Sequence, residues 1–423
     1  MRENFLYFLW KHKKFNLFNL QTTQGESLLI KSVGAHNQNS GPDFFNAQLR
    51  INDQLWAGNV EMHVKSSDWY LHKHENDSAY DNVILHVVWE HDTEVYRKDN
   101  SEIPTLVLKD YVSPIVLGNY HELFSKKLKW INCENDFPTI DDFVLHNWLE
   151  HLYIERLQGK ATLIEGLLKG SNNNWEAVLF LMLAKNFGSK INGEPFLSLA
   201  KSFDFSILRK VSSNALQLEA LFYGQAGLLN NDIEDSYLLS LKKEYRFLVQ
   251  KFQLDNSGVM PVQFFRLRPP NFPTIRLSQL ASLYHIHLNV FSKIIDTIQK
   301  EEFYEIFKVT ASNYWDTHYN FGKVSKSSKK TLTKSFIDLI LVNTVIPIKF
   351  AYNRFLGKNS EEDILKLISE IAPEKNSILE QFEKLKTMNE SALESQALIQ
   401  LKTEYCNKHK CLECAIGNSI LKG

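Results

Sequence analysis

The rhythm of apolar and polar residues changes once along this chain, near residue 112. Before that point apolar side chains recur at every second position in short runs, at 27–33, 47–51, 55–65, 83–89 and 105–108, with Gly, Asn, Asp and Ser between them. That period belongs to strands. An aromatic helix, Glu3–Lys11, precedes them. The run Val-Ile-Leu-His-Val-Val-Trp at 83–89 is apolar on both faces, which predicts a central strand covered on both sides. Beyond about 113 the spacing becomes helical, at 141–168, 175–187, 215–229, 233–250, 277–284, 332–356 and 361–387. Pro261, Pro269, Pro270 and Pro273 mark a loop, 325–330 is a polar, basic loop, and there is no internal repeat or long linker. The pattern predicts an α/β or α+β protein: a mixed-sheet domain over 1–112, then a mostly α-helical domain over 113–423, closely packed.

The densest chemistry lies inside the strand-rich part, where Ser-Gly-Pro-Asp-Phe-Phe leads into Trp-Ala-Gly-Asn-Val-Glu-Met-His-Val-Lys. Side chains on a strand alternate between faces. Val60, Met62 and Val64 therefore face a core, while Glu61, His63 and Lys65 share the other side. Asp43 follows a turn-forming Gly-Pro, and a hairpin can return it beside Glu61. Two carboxylates suit Mg²⁺ or Mn²⁺. A Lys or imidazole beside them can orient or deprotonate water. The expected activity is a metal-dependent phosphodiesterase, a nuclease acting on nucleic acid. Asp43 and Glu61 would hold the ion and His63 and Lys65 would position water.

Further candidates cluster nearby. Asp68, His72, His74 and Asp77 lie in the following loop, and His86 in the next strand. His72, His74 and Asp77 would assist catalysis, or with His63 hold zinc for a hydrolase of small substrates. The plainer reading is a solvated loop that caps turns, with His86 a hydrogen-bonded core residue. At the other end, Cys406, Cys411 and Cys414 fall as Cys-X4-Cys-X2-Cys, and Cys133 stands far upstream. With His409 or Cys133 as fourth ligand they fit zinc; all four cysteines fit an iron–sulfur cluster. Reduced structural thiols are the alternative. In the helical half, Arg266 and Arg268 alternate with apolar residues before Pro269-Pro270, and Arg276 follows. Lys323 ends an aromatic run with Lys326, Lys329 and Lys330 beyond it. Guanidinium forks and stacked rings suit phosphate and single strands. Ties to helix carbonyls explain the arginines equally well. Glu219–Leu229, with Gly224, Ala226 and Gly227, reads as a close-packing helix.

Composition narrows the field. The 423 residues suffice for two or three full cores, and 44% hydrophobic with 23% charged residues is ordinary for a globular chain. Lys+Arg at 48 against Asp+Glu at 49 leaves −1, so any nucleic-acid contact must be a local patch. That balance also favours an alternative in which a degenerate nuclease-like sheet only binds nucleic acid or protein. Four cysteines argue against disulfide scaffolding. The most apolar run, 337–351, is broken by Asp338, Asn343, Pro347 and Lys349, which predicts a buried helix rather than a membrane span. The N-terminus carries no signal-peptide pattern, and the expected location is the cytoplasm. Nothing in the pattern specifies an oligomeric state.

The Pro-Asp, spacer, Glu-X-(Lys or His) arrangement resembles the core of PD-(D/E)XK nucleases, with His63 standing where that family usually has Lys. Some of those nucleases carry an iron–sulfur staple that pins a C-terminal segment, which the cysteine layout resembles. Longer segments resemble a bacterial family catalogued as domain of unknown function 2851. They are Ser-Gly-Pro-Asp-Phe, Gly-Asn-Val-Glu-Met-His-Val-Lys-Ser-Ser-Asp-Trp, Asn-Val-Ile-Leu-His-Val-Val-Trp, Glu-Ala-Leu-Phe-Tyr-Gly-Gln-Ala-Gly-Leu-Leu, Arg-Leu-Arg-Pro-Pro-Asn-Phe-Pro and Cys-Leu-Glu-Cys-Ala-Ile-Gly. That resemblance implies a shared full-length architecture and no established activity.

Overall fold

The computed structural model describes residues 1–125, 129–230 and 232–421. Tertiary contacts group the chain into two compact units, one of 1–148 with 401–423 and one of 149–400.

The first unit is built on a mixed sheet. After helix α1 (Glu3–Lys11) come β1 (Leu20–Gln21), β2 (Ser27–Ser32), β3 (Ala35–His36), β4 (Phe44–Ile51) and β5 (Gln54–Lys65). A short helix α2 (Asp68–Leu71) and two single turns then lead to β6 (Val83–Glu90) and β7 (Thr105–Val107). The order is β1-β2-β4-β5-β6-β7, with β3 also paired to β4. Strands through β5 are antiparallel, while β5, β6 and β7 run parallel. The tight reversal at Asn52 forces antiparallel pairing of β4 and β5, whereas the longer crossover through α2 allows the parallel one.

Both faces of the sheet centre are covered. On β5, Val60 and Met62 are buried as the alternation predicts, but Glu61 and His63 are buried too, at 5% and 1% exposure. The cover comes from α1, whose Phe5, Leu6, Phe8, Leu9 and Trp10 are buried, and from the crossover, where Trp69 and Tyr80 join Val83, Val95 and Ile103 in one cluster. Helix α3 (Pro114–Leu123) adds Tyr120, which stacks on Phe5 at 3.9 Å. Strand β6 is buried from Val83 through Val88, as expected of a central strand.

The second unit is helical. Its helices include most of α4 (Asp142–Gly170), then α5 (Trp175–Phe187), α6 (Ser189–Lys201), α7 (Phe205–Val211), α8 (Ala215–Gln225), α9 (Ser236–Phe252) and α10 (Pro273–Ile286). The most apolar 18-residue window of the continuous helical stretch Lys334–Phe355 has mean hydropathy 1.5, and 67% of it is buried. Its middle turn, Leu341–Val345, is π-helical. Pro347 has no N–H to give the Asn343 carbonyl. Asn186 Nδ2 donates to that carbonyl instead, at 3.4 Å. The 361–387 run is two helices, Glu361–Ser369 and Ser377–Leu385, because Pro373 interrupts it.

One turn aims the first unit's chemistry. Gly34 lies at φ +85° between β2 and β3, and an added Cβ would meet the Phe45 carbonyl oxygen at 2.5 Å. That carbonyl belongs to the bulge between Phe44 and Ala47, where Asn46 adopts φ 57°. Gly34→Ala is expected to cost about 1–3 kcal/mol through the strained φ and this clash. A thermal melt should show a drop of several degrees; an unchanged melting temperature would contradict the account.

Candidate metal centre

The register Phe44↔Val60 sets Asp43 opposite Glu61 at the start of β4. The two residues are cross-linked by backbone donors. Asp43 N–H donates to Glu61 Oε2 at 3.1 Å, and Met62 N–H donates to Asp43 Oδ2 at 2.9 Å. The loop before Asp43 is held by Asn37, whose Nδ2 donates to the carbonyls of Asn39, Ser40 and Pro42. Burial raises both carboxyl pKa values well above the ordinary range, and the charge of Glu61 raises Asp43 further. The Tyr7 hydroxyl, from α1, hydrogen-bonds Asp43 and partly offsets this.

Three imidazoles complete the cluster. His63 Nε2 lies 3.6 Å from Glu61 Oε1 and 3.1 Å from His72 Nδ1, and His74 Nε2 lies 3.4 Å from the same Glu61 oxygen. One ligand atom from each of His63, His72 and His74 falls within 4.8 Å of the others. Parallel register pairs Glu61 with His86, and His86 Nε2 sits 2.8 Å from His63 Nδ1. With the shared proton on His63 Nδ1, the Nε2 lone pair faces the carboxylate and the other rings. A ligating imidazole is commonly oriented this way through its second nitrogen. Burial and neighbouring imidazoles hold His63 down to about 2 and His86 to about 3, so both are neutral. His86 Nδ1 is buried with no hydrogen-bond partner among the described residues.

Several residues of this cluster escape a reading of motifs. Glu3 and Tyr7 lie one turn apart on α1, and Glu3 acts electrostatically on Asp43, Glu61 and His74. Their i, i+4 spacing on an otherwise aromatic helix is the signal that was available. Tyr80 stacks on His74 at 3.8 Å, and Trp69 meets His74 edge-to-face and lies tilted to His86. The other expected residues sit at the margin. Lys65 is exposed and acts on Asp92, Asp68 Oδ2 accepts from the Lys65 N–H, and Asp77 Oδ1 accepts from the Ala79 N–H at a turn.

The family described as "Protein of unknown function (DUF2851)" matches residues 3–377. The chain belongs to this family. No curated protein and no solved structure matches it. The matched span of this DUF2851 chain takes in the whole Asp43, Glu61 and histidine cluster and ends before the C-terminal cysteines.

The remaining candidates of the DUF2851 chain fall elsewhere. Cys133, Cys406, Cys411 and Cys414 line one cavity in the first unit, all as free thiols. In the second unit Arg266 and Arg268 are exposed, with Arg266 at φ 64° in a turn that breaks their alternation. Arg276 is instead buried in α10, its guanidinium 3.5 Å above the Phe336 ring and bonded to Gln279 and Asn271. Lys323 is exposed on a two-stranded hairpin.

Burial of the cluster contributes to the pH dependence of the metal-free protein. Asp43 and Glu61 have raised folded pKa values, so the stability they contribute is full in acid and is lost as pH rises through those values. His63 and His86 have lowered values, so their contribution is full above 6.5 and is lost as pH falls below it. Above 6.5 these two histidines are neutral in both states, so the carboxyls shape the cluster's share of the slope, while the buried Lys160 and Lys349, whose values burial lowers, act in the opposite direction. With both proteins treated with chelator, the melting temperature of Glu61→Gln relative to wild type is expected to rise as pH passes from 6.5 into mild alkali. A difference between the two proteins that stays constant with pH would contradict it.

Proposed function

We propose that this protein is a metal-dependent phosphodiesterase acting on nucleic acid, with one divalent ion held by Asp43, Glu61 and the neighbouring imidazoles. The observation that carries the reading is the buried, cross-bonded Asp43–Glu61 pair with His63 and His74 within 3.6 Å of one Glu61 oxygen. Two raised carboxyls left against each other cost stability, and a divalent cation removes that cost. Three imidazoles among the donors move the preference from Mg²⁺ toward Mn²⁺ or Zn²⁺. The setting supports phosphoryl chemistry: an acid at the start of β4 and a second inside β5, at the junction of antiparallel and parallel pairing, agree with the resemblance to PD-(D/E)XK nucleases.

The chain's own groups have distinct tasks in this reading. Glu61 and Asp43 fix the ion, which supplies charge to stabilise the phosphoryl oxygen. His74, half-buried and next to Glu61, would add its Nε2 to that donor set. His63, locked by His86, holds its Nε2 toward the same point. Tyr7 keeps Asp43 from turning away.

The His63, His72 and His74 trio favours a second reading, a zinc hydrolase of small substrates with an open fourth position. The same experiment separates them. Mn²⁺ or Zn²⁺ is expected to raise the melting temperature of chelator-treated protein, and Asp43→Asn and His74→Ala to abolish the shift. DNA and RNA should be cleaved with Mn²⁺, and Glu61→Gln should reduce cleavage by about 100-fold or more. Metal binding without cleavage of any nucleic acid would transfer the assignment to the small-substrate hydrolase. Absence of both would leave a binding module.

A further inference from the structure

The four cysteines come from places far apart in the sequence. Cys133 sits in the turn after Ile131, Cys406 ends the π-helical turn Leu401–Cys406, Cys411 opens a 3₁₀ turn, and Cys414 caps the helix Ala415–Ile420. All four line a single cavity of about 20 Å³, the space in which the centre of a water-sized sphere can move. We propose that Cys133, Cys406, Cys411 and Cys414 hold a [4Fe–4S] cluster that clasps the C-terminal segment to the 131–133 turn.

The void argues against the simpler alternatives. Four thiols that were merely core side chains would close on one another, because protein interiors leave few gaps of this size. A zinc ion sits about 2.3 Å from each sulfur. Sulfurs drawn that close leave no room between them for a water-sized sphere. A four-iron cube is wider and fills such a space. The remaining walls are apolar, with Leu123, Ile131 and Leu401 among them, and exclude water from a cluster.

The surroundings suit a set of thiolates. Each ligating cysteine gives up its proton on binding, and the cluster with its four thiolates is negative. The N–H groups of Ile416 and Gly417 and the Trp148 indole donate toward Cys414, and Asn132 Nδ2 toward Cys411 at 3.5 Å. Lys402 supplies a positive charge beside Cys406, held by the Trp130 carbonyl and by the Asn407 side chain. Gly417 allows the tight return, since a Cβ there would meet the Cys411 carbonyl oxygen at 2.0 Å. His409, the other candidate for a fourth ligand, is exposed and does not line the cavity.

Anaerobic purification and reconstitution of the full chain with iron and sulfide test the assignment. The expected product is brown, with iron and acid-labile sulfide in equal amounts, near four each per chain. Cys133→Ser and Cys411→Ser should lose the iron, while His409→Ala and Asp43→Asn keep it. Should the serine variants fail to fold, Mössbauer spectra of the wild type read the iron environment directly, and four-iron, thiolate-ligated spectra are required. One colourless zinc per chain would overturn the proposal. So would a helical, folded wild type that takes up no iron, or a His409→Ala variant that loses it.

Discussion

The pairing of β4 with β5 at Asp43 and Glu61 is the constraint on which the rest of the first unit's chemistry depends. Each residue uses the other's strand to satisfy a backbone N–H with a carboxylate oxygen, at 3.1 and 2.9 Å. Such charge-assisted bonds are strong, and here they hold two like-charged groups together in a buried place. Everything around them follows from that position. The β5–β6 register sets His86 beside His63, α1 lowers Tyr7 and Glu3 onto the pair, and the crossover returns His74 to Glu61.

Buried charge is handled differently in the second unit. Lys349 donates to the carbonyls of Ile294, Ile295 and Thr297, and Lys330 to those of Asp316 and Ser328. Arg276 has a ring beneath it and two amide oxygens in its plane. Glu219 accepts from Ser278 and Tyr237. These groups have partners, apart from a buried Arg276 Nε with none among the described residues, and fasten loops and helix ends, as buried polar groups do. The cluster around Glu61 is not matched in that way. It gathers two acids with raised pKa values, two neutral imidazoles with lowered ones and an orphaned His86 nitrogen. That concentration of perturbed groups is what supports reading the cluster as a site.

The chain's last segment returns to the first unit, where Asn119 Nδ2 donates to the Ile420 carbonyl and Cys411 meets Asn132. A short terminal segment with few buried side chains gains little from the hydrophobic effect alone. Ligands that join it to residues near 132 would contribute stability out of proportion to its length.

Local pattern determined much about this protein. The period of two located the strands and placed Glu61 and His63 on one face of β5, because alternation is a property of the extended backbone itself. The period of 3.6 located the helices, and Pro373 split one of them where the ring forbids helix. Cysteine spacing put three sulfurs in one short segment, within reach of a common ligand. Only the tertiary structure decided the rest. Whether the polar face of β5 meets water depends on α1, far from Glu61 in sequence, and on how the following crossover folds back over the strand. The alternation of Arg266 and Arg268 assumed an extended backbone that the turn at Arg266 does not have. The choice of Cys133 over His409 beside the other sulfurs, the parallel register that brings His86 to His63, and the approach of Tyr7 to Asp43 are long-range contacts. Such contacts arise from the packing of whole elements, which no short window of sequence encodes.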